Sequence, residues 1–430
     1  MFGKELAADE QGRTNILLFG VGGVGHEGED LTDTIIVASI SENDDSVTML
    51  SIPRDLYVES SLGAHRINEL YRQGKLKWDS TQGLDFARES IGKILGIPIQ
   101  YIAKVDFAAF EQIADAVGGI DVYVDEAIND PQYPRDGFYD YDPFYLPAGS
   151  QHLDGKTALK YVRSRKSSSD FSRSARQEKT LIALKNKIVQ QSSFSRSSLI
   201  KELYYSLNEH VETNLSLREM LSLADLGSSI NIAQIRTYTL NDDPGATGGF
   251  LYTPMRELYK GAFVLLPVSD NFDGIRRFVQ VSLYGPTALA EFPIAVLNGT
   301  KENGFAGRAK VLLHQNGFAI AGSANARMQN LETTTWYAKT ADDLPIVQSM
   351  AQFFHGAVVT GFPVEYISDQ KLSDARVVLE LGKDAAAVFD RLDVYKDFVI
   401  PIPASVSALA PAATKTALEK TTSAKTAPKK

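Results

Sequence analysis

The sequence predicts an α/β protein, with a layered domain of strands and helices followed by a second, smaller α/β domain. Short apolar runs alternate with segments in which apolar residues recur at helical spacing, and this alternation is typical of layered α/β domains. The same alternation starts again after residue 291. With 430 residues, of which 44% are hydrophobic and 23% charged, the chain is long enough for two or three domains that each bury a core.

The elements of the first domain follow from the period of their apolar residues. Apolar runs predict strands, in chain order, at 15–20, 34–41, 46–53, 101–107 and 120–124. Helical spacing predicts helices at 79–96 and 108–119, each of which stops at glycine. Turn-forming residues between the second and third strands indicate a hairpin. After a turn-rich loop at 129–147 the pattern is mainly helical from 170 to 225, and a strand at 235–240 precedes a helix near 285.

The second domain and the tail are predicted from where this pattern restarts and where it ends. Strands at 292–300 and 318–326 enclose a helix, and a further helix and strand follow before residue 390. After Ile402 the chain is rich in Ala, Thr, Lys and Pro and lacks the apolar residues that a core needs. We therefore predict, in order, a flexible N-terminus (1–11), the first domain (12–285), a linker (286–291), the second α/β domain (292–390) and a disordered tail (403–430).

Charge and composition exclude several classes of function. The net charge is −9, from 44 Lys and Arg against 53 Asp and Glu. This balance argues against a nucleic-acid partner, because domains with such partners usually carry net positive charge. The absence of cysteine excludes disulfides, thiolate catalysis and Cys-ligated zinc, and the six histidines are not at metal-ligand spacing. The sequence contains neither a signal peptide nor an apolar run of 18 residues.

The stretch GVGGVG (20–25) fits the glycine pattern of dinucleotide-binding proteins but not its context. That motif opens a helix whose N-terminus meets the pyrophosphate, whereas only HEGEDLTD separates these glycines from the next strand. We therefore interpret 20–25 as a flexible turn between strands, in which the backbone is able to approach a ligand closely. A nucleotide-binding oxidoreductase is accordingly the most distant of the functions that we weigh.

Cations gather in one stretch of this acidic chain. KYVRSRKSSSDFSRSARQEK (160–179) holds four arginines and three lysines against Asp170 and Glu178. A guanidinium matches phosphate oxygens two at a time, and several arginines at one place repel one another unless a polyanion joins them. Surface ion pairs are the alternative explanation for each of these residues taken alone.

Polar residues at predicted strand ends extend this charged group. Asp33 precedes the second strand, and Arg54 and Asp55 follow the third strand behind a proline. If YVRSR is extended, Arg163 and Arg165 lie on one face, because side chains alternate along a strand.

A predicted helix that starts near residue 170 adds a second group. Asp170, Arg173 and Gln177 are spaced at i, i+3 and i+7 and therefore share a helix face, and Arg176 lies one position off that face. Together the two groups predict a pyrophosphate clamp whose nearby carboxylates either bind Mg²⁺ or accept a proton.

These segments resemble the LytR-CpsA-Psr (LCP) family of bacterial cell-wall proteins. The resemblance rests on SIPRDLYV and GSQHLDGKTALKYVRSRKSSSDFSRSARQEK, with NILLFG, LTDTIIVASI, HRINELY and FEQIADAVGGIDVYV in the expected order, and it covers about 12–285. In the second domain, IAVLNGT and GFAGRAKVLLHQNGF are similar to the LytR C-terminal domain. The family's fold implies a layered α/β domain whose central mixed sheet is flanked by helices.

The resemblance implies a phosphotransferase that acts outside the cytoplasmic membrane and is associated with it. Members move an anionic glycopolymer from a polyprenyl-pyrophosphate carrier to a peptidoglycan hydroxyl and form a phosphodiester. The polyprenyl chain is implied to lie in an apolar pocket, with arginines around the pyrophosphate and Mg²⁺ assisting. An N-terminal transmembrane helix is also implied, and we expect it to lie outside this chain.

The site residues implied by the family carry over by motif. Those implied to bind the pyrophosphate are Arg54, Arg163, Arg165, Asp170, Arg173, Arg176 and Gln177. Asp33 is implied as metal ligand or base and, with Arg54, Arg163 and Arg165, makes up the candidate catalytic set. Asp55 is a second candidate ligand for Mg²⁺, and Asp170 is implied to orient the arginines.

One departure from the family pattern affects the chemistry. Members usually have an acidic residue soon after the first strand, where Gly22 or Gly23 stands here, so that one magnesium ligand is lost. The leading hypothesis is the transferase. The alternatives are a polyprenyl-pyrophosphate-binding protein without turnover and a pyrophosphatase in which water is the acceptor.

Overall fold

The computed structural model describes residues 6–135, 140–164, 170–269, 271–285, 289–367 and 374–392. All of them belong to one compact unit, which spans Met1–Lys396. The predicted tail at 403–430 lies outside the described residues. Within the described residues, we find no helix with both the length and the hydrophobicity that a bilayer crossing requires.

The first part of the chain, up to residue 285, contains most of the strands and helices. Its strands are β1 (Arg13–Val21), β2 (Thr34–Ser41), β3 (Ser46–Ser51), β4 (Tyr57–Ser60), β5 (Gly63–Arg66), β6 (Tyr101–Asp106), β7 (Ile120–Val124), β8 (Ile128–Asp130), β9 (Phe144–Leu146), β10 (Gly149–Leu153), β11 (Val211–Thr213), β12 (Ile235–Thr239), β13 (Leu251–Tyr252) and β14 (Leu266–Pro267). Its α-helices are α1 (Leu70–Lys77), α2 (Ser80–Leu95), α3 (Phe107–Ala116), α4 (Gly155–Arg163), α5 (Asp170–Gln190), α6 (Ser193–Ser206), α7 (Leu217–Ser229) and α8 (Asp273–Tyr284).

The second part of the chain forms a smaller α/β arrangement. Its elements are β15 (Ile294–Asn298), α9 (Phe305–Gln315), β16 (Ile320–Asn325), β17 (Thr335–Ala338), α10 (Leu344–Phe354), β18 (Ala357–Thr360), α11 (Val364–Ile367), β19 (Val377–Leu381) and α12 (Lys383–Leu392). Its strands form a five-stranded sheet in the order β16-β15-β19-β17-β18. The core of this part includes the buried aromatic side chains of Phe305, Trp336 and Phe354. Val281 of α8 packs in the same core, so the two parts share apolar contact.

The main sheet is six-stranded and mixed, in the order β11-β6-β1-β2-β3-β12. The central strand β1 pairs antiparallel with β2 and parallel with β6. On the other side β3 is antiparallel to β2 and parallel to β12. The predicted α/β class, the central mixed sheet and the hairpin between the second and third strands are therefore confirmed.

One face of the main sheet is packed tightly against helices. Leu17, Val37 and Leu50 point to this face from three neighbouring strands and are fully buried in a core with residues of α2 and α8. The apolar spacing of α2 produces this contact, and its ends are fixed locally. Asp79 accepts a hydrogen bond from the Gln82 backbone amide at 2.8 Å, and the helix ends at the left-handed Gly96, as the sequence predicts.

The sequence analysis omits two neighbouring features of the first part, the β4–β5 hairpin and α1. These segments are short, and α1 (LYRQGKLK) is mostly polar, so neither carries a clear apolar period. The turn-rich loop at 129–147 also contains paired strands, since Ile128, Asn129 and Asp130 pair with Leu146, Tyr145 and Phe144.

Candidate active site

The predicted site residues meet because of the strand directions in the main sheet. β1, β3, β6 and β12 all run toward the same edge of the sheet, and β2 starts there, with Thr34 opposite Gly20. Asp33 therefore lies at the same edge as Arg54 and Asp55, which follow β3. The glycine turn after β1 lies at this edge too.

A cavity of about 210 Å³ opens at this edge, and we call it the polar cavity. Five of the predicted site residues line it, namely Asp33, Arg54, Asp55, Arg173 and Gln177. Arg173 and Gln177 come from the first turns of α5, one turn apart on the helix, as their spacing predicts. The structure thus joins the strand-end residues to the helix residues in one site.

Ion pairs organise the carboxylates of the polar cavity around Arg54. Its Nη1 lies 2.7 Å from Asp33 Oδ1, and its Nε lies 3.5 Å from Asp55 Oδ2. The other oxygen of Asp55, Oδ1, lies 3.2 Å from Arg66 Nη1. Arg54 is therefore held between two carboxylates at the cavity wall, with its position set before any substrate arrives.

The two candidate magnesium ligands differ in how well they suit a metal. Asp33 is 43% exposed and lines the cavity, whereas Asp55 is 10% exposed and has a guanidinium beside each oxygen. Mg²⁺ is often held by one or two carboxylates, substrate phosphates and water. Asp33 fits that role, and the surroundings of Asp55 suit a structural ion pair. Among the described residues there is no group of three or more His, Asp or Glu arranged to hold a metal.

Arg163 is the last residue of α4, so the condition that YVRSR is extended is not met at 161–163. Asp154 caps α4 by accepting a hydrogen bond from the Thr157 amide at 2.8 Å, and the segment from 155 to 163 buries one strongly amphipathic helical face. The Arg163 guanidinium lies 4.1 Å from the ring centre of Phe107 and 5.4 Å from that of Tyr133. Arg165 lies outside the described residues.

The glycine turn lies near Arg163, because His26, the residue after the turn, and Arg163 both contact Phe107 at the end of β6. His26 packs edge-on against Phe107 with ring centres 5.1 Å apart. A Cβ on Gly23, whose φ is +82°, would lie 2.8 Å from the Cβ of Asp106, so a larger residue is excluded there. No helix follows these glycines before β2 begins, as the described residues show, so 22–25 form the predicted turn, while Gly20 and Val21 still belong to β1.

The remaining predicted residues lie on α5. Arg176 is buried, donates to the Ser164 carbonyl and lies over the ring of Tyr161, so it joins α5 to α4. Burial lowers the pKa of the Arg176 guanidinium. Asp170 is the first residue of α5, and its side chain lies outside the described part of the structure.

Three residues at or next to the polar cavity are not predicted from the sequence. Asp242 lines the cavity just after β12, where the rule that polar residues follow strands would have found it. Ser51 lines it as well and donates a hydrogen bond of 2.8 Å to the buried Glu178. Burial raises the pKa of Glu178 to about 7, against weaker opposing hydrogen bonds from Ser51 and Thr237. No local pattern in RQEK marks Glu178 as buried.

A second and larger cavity of about 790 Å³ is mainly apolar, and we call it the apolar cavity. Its aliphatic and aromatic lining comes mostly from β6, β11, α5, α6 and α7, and includes Ile102, Val105, Ile113, Ile188, Val189, Ile200, Leu203, Tyr204, Leu207, Val211, Leu215, Met220 and Leu223. Helix α5 lines both cavities. Gln177 of the polar cavity and Lys185 of the apolar cavity are eight residues apart, about 12 Å along the helix.

Comparisons with known proteins identify relatives of this chain. The LytR_cpsA_psr family model matches residues 3–260, and a model described as LytR cell envelope-related transcriptional attenuator matches residues 291–384. The Bacillus subtilis polyisoprenyl-teichoic acid–peptidoglycan teichoic acid transferase TagV is 31% identical over 63% of this chain and 64% of its own length. The Oceanobacillus iheyensis transferase TagU is 33% identical over 50% of this chain and 62% of its own length.

The fold is similar to that of solved relatives as well. The crystal structure of B. subtilis TagV has a TM-score of 0.50 and 26% identity, over 64% of this chain and 99% of that chain. This chain spans slightly less than two thirds of the full length of the transferases named above. Because the first family model covers more than half of the chain, the protein belongs to the LytR-CpsA-Psr family.

Proposed function

We propose that this protein transfers an anionic glycopolymer from a polyprenyl-pyrophosphate carrier to a hydroxyl of peptidoglycan. The observation that carries the proposal is that α5 lines both an arginine-bearing polar cavity and a large apolar cavity. A lipid-linked pyrophosphate has the same two parts, a charged head and an apolar chain. The names of the relatives TagV and TagU describe the corresponding reaction with teichoic acid.

The polar cavity supplies the groups that a pyrophosphate needs. Arg54, Arg173 and Gln177 line it and would donate hydrogen bonds to non-bridging oxygens, which guanidinium groups match in pairs. Arg163 would meet the carrier from the side of Phe107. Arg165 and Asp170 keep their predicted roles in pyrophosphate binding, and Arg176 would act by holding α4 against α5.

The apolar cavity would hold the polyprenyl chain. Its volume lies in the range of ligand pockets, and each methylene group that leaves water contributes about 0.8 kcal/mol. Several of its lining side chains are only half-buried, including Val105, Ile188, Leu203 and Leu223. These side chains leave apolar surface that a lipid chain would cover. A lipid carrier would bring the proposed reaction to a membrane surface, and a peptidoglycan acceptor would put it outside the cytoplasm.

The proposed step exchanges one phosphorus–oxygen bond for another. The acceptor hydroxyl oxygen attacks the phosphorus bonded to the glycan, and the bond from that phosphorus to the bridging oxygen breaks. Polyprenyl monophosphate leaves with that oxygen, and a glycan–peptidoglycan phosphodiester remains. Arg54 and Arg173 would stabilise negative charge on the phosphoryl oxygens as the bonds exchange.

We weigh two roles for Asp33, acceptor of the proton of the hydroxyl and ligand of Mg²⁺. As a base it would take the proton of the acceptor hydroxyl, while its ion pair with Arg54 holds the carboxylate in place at 2.7 Å. As a ligand it would hold Mg²⁺ together with phosphate oxygens. When bound, Mg²⁺ would neutralise charge on the pyrophosphate.

A second candidate function is lipid binding without turnover, and the glycine turn is the observation that favours it. Gly22 stands where the family usually has an acidic residue. The nearby carboxylate of Asp106 is already engaged, because it caps α3 at the Ala109 amide and lies 2.7 Å from His210 Nδ1. A pyrophosphatase, in which water replaces the glycan acceptor, is the third candidate.

One assay separates these candidates. Purified protein is incubated with a short-chain polyprenyl-pyrophosphate glycan, with and without Mg²⁺ and with and without peptidoglycan fragments, and the products are identified by mass spectrometry. We expect Mg²⁺-dependent release of polyprenyl monophosphate together with a glycan–peptidoglycan phosphodiester. Release without acceptor would indicate the pyrophosphatase, and tight binding without release by folded protein would indicate the lipid-binding protein.

A further inference from the structure

The loop that follows β12, residues 240–249, forms one wall of the polar cavity. Leu240 and Asp242 of this loop line the cavity, next to Thr239 at the end of β12. The side chain of Asn241 closes the loop from inside, since its Nδ2 donates to the carbonyls of Thr239 at 3.0 Å and Thr247 at 2.7 Å. The loop is therefore a compact ring with the cavity on one side.

Glycines allow the backbone of this loop to fold on itself. Gly248 has a φ of +80°, and a Cβ there would lie 2.3 Å from the Thr239 carbonyl oxygen. A Cβ on Gly249 would lie 1.8 Å from the carbonyl oxygen of Asp243. Because no side chain fits at either position, the ring has little space for alternative backbone arrangements.

The second α/β part contacts this loop through the last two residues of α9. Gln315, the last residue of α9, donates from Nε2 to the carbonyls of Pro244 at 2.7 Å and Gly249 at 3.4 Å. Its own carbonyl accepts from the Gly248 amide at 2.9 Å. One residue earlier, the His314 carbonyl accepts a hydrogen bond of 2.9 Å from the Thr247 hydroxyl.

Burial makes the hydrogen bonds of Gln315 to the loop costly to lose. The side chain is 2% exposed, so its amide would lose hydrogen bonds to water without replacement if the loop moved. Asn316, the next residue, is also buried, but its side-chain amide donates to the Leu312 carbonyl of its own helix. Gln315 alone of these two reaches across to the loop of the first domain with its side chain.

We propose that Gln315 is a positioning residue for the transferase site, acting from the second domain through loop 240–249. By fixing this loop it sets the place of Asp242 and of the cavity wall against which the pyrophosphate and acceptor meet. The second domain is then a working part of the catalytic site. This inference rests on the proposed function only for its catalytic readout, because the bracing of the loop is measurable without substrate.

The test compares Gln315→Met with Asn316→Leu in the full chain. Methionine keeps the length of the glutamine side chain and removes its donor, and leucine removes the neighbouring amide that makes no contact with the loop. Hydrogen exchange at the loop amides, including that of Gly248, is measured first in the absence of substrate. We expect exchange in 241–251 to rise at least tenfold in Gln315→Met and less than twofold in Asn316→Leu.

Transfer kinetics with the pyrophosphate-linked donor supply the second readout. We expect Gln315→Met to lower kcat about tenfold with KM for the donor changed less than threefold, because the arginines that bind the pyrophosphate stay in place. Gln315→Met and Asp242→Asn should be non-additive in kcat, since one acts through the other, while their effects on Tm add.

Two results would overturn the inference. One is unchanged loop exchange in Gln315→Met, and the other is an equal loss of kcat in Gln315→Met and Asn316→Leu, which would indicate general destabilisation of the second domain. If wild-type protein shows no transfer but the exchange result holds, the proposed function fails and the bracing of the loop stands.

Discussion

The two faces of the main sheet differ in how completely they are packed. Leu17, Val37 and Leu50 on one face are fully buried against α2 and α8. Leu18 and Ile40, on the opposite face, are only half-buried and pack in a cluster with Met220 and Leu223 of α7, two residues that line the apolar cavity. Adjacent residues of the same strand therefore contribute differently. Those on the first face stabilise the fold, and those on the second leave apolar surface that the proposed lipid would cover.

A pair of substitutions in β1 is the most direct test of this difference in packing between the two faces. We expect Leu17→Ala to lower the free energy of unfolding by about 2–5 kcal/mol, because it leaves a cavity in a packed core. Leu18→Ala should cost less than about 2 kcal/mol, since its side chain is already partly exposed. Urea denaturation of both variants measures the difference. Equal losses would show that the two faces are packed alike.

The buried carboxyl of Glu178 predicts that the stability of the protein depends on pH. The pKa of Glu178 is raised by burial from 4.5 to about 7, so the folded state holds this proton more tightly than the unfolded state does. Stability should therefore fall as pH rises from about 4.5 through about 7, by up to about 3 kcal/mol. Glu178→Gln keeps the side-chain acceptor for Ser51 and removes the titration.

We accordingly expect Glu178→Gln to be more stable than wild type at pH 8 and about equal to it at pH 5, as measured by denaturation at both values. Glu202→Gln is the matched control, because Glu202 is exposed on α6. A stability difference between Glu178→Gln and wild type that does not grow with pH would contradict the assigned burial of the charge.

Arg163 ends α4 and lies over the ring of Phe107, the residue that follows β6. We expect Arg163→Ala to weaken binding of a polyprenyl-pyrophosphate lipid at least 100-fold, because it removes a half-buried guanidinium that would pair with phosphate oxygens. Isothermal titration with the lipid measures the effect. Arg135→Ala is the control, since Arg135 forms an exposed ion pair with Asp140. Unchanged affinity in Arg163→Ala would refute the clamp.

The smallest effect is expected at the glycine turn. Gly22→Asp restores the acidic residue typical of the family, and we expect it to raise the transfer rate a few-fold at low Mg²⁺. A Cβ at this position would lie 2.8 Å from the Cβ of His26, so a loss of about 1 kcal/mol in stability should accompany the gain. The rate is measured as a function of Mg²⁺ concentration. An unchanged rate at every concentration would show that this position is not a missing ligand site.

The sequence predicts which residues lie together where local rules are sufficient. Asp33 and Arg54 were placed together because each adjoins a strand end, and the structure brings them to 2.7 Å. The spacing of Arg173 and Gln177 predicted their shared helix face. The extended form considered for YVRSR does not occur at 161–163, because the buried apolar residues around Leu159 follow a helical period that continues to Arg163.

The residues that sequence reasoning missed depend on long-range contacts. Glu178 is an ordinary helix residue by its neighbours in sequence, and only the approach of β3 and β12 to α5 buries it. Gln315 touches a loop about seventy residues earlier in the chain, a distance that no local pattern spans.

The α/β class, the order of most elements and the charge of the site are readable from the sequence, because hydrophobic periodicity and arginine content act over a few neighbouring residues. Tertiary contacts are needed to know which strand ends meet at one edge, which face of β1 is tightly packed and which residue of the second domain contacts the loop at the cavity wall. Those outcomes depend on strand pairing and burial between distant segments, whose free energy arises when the whole chain has folded.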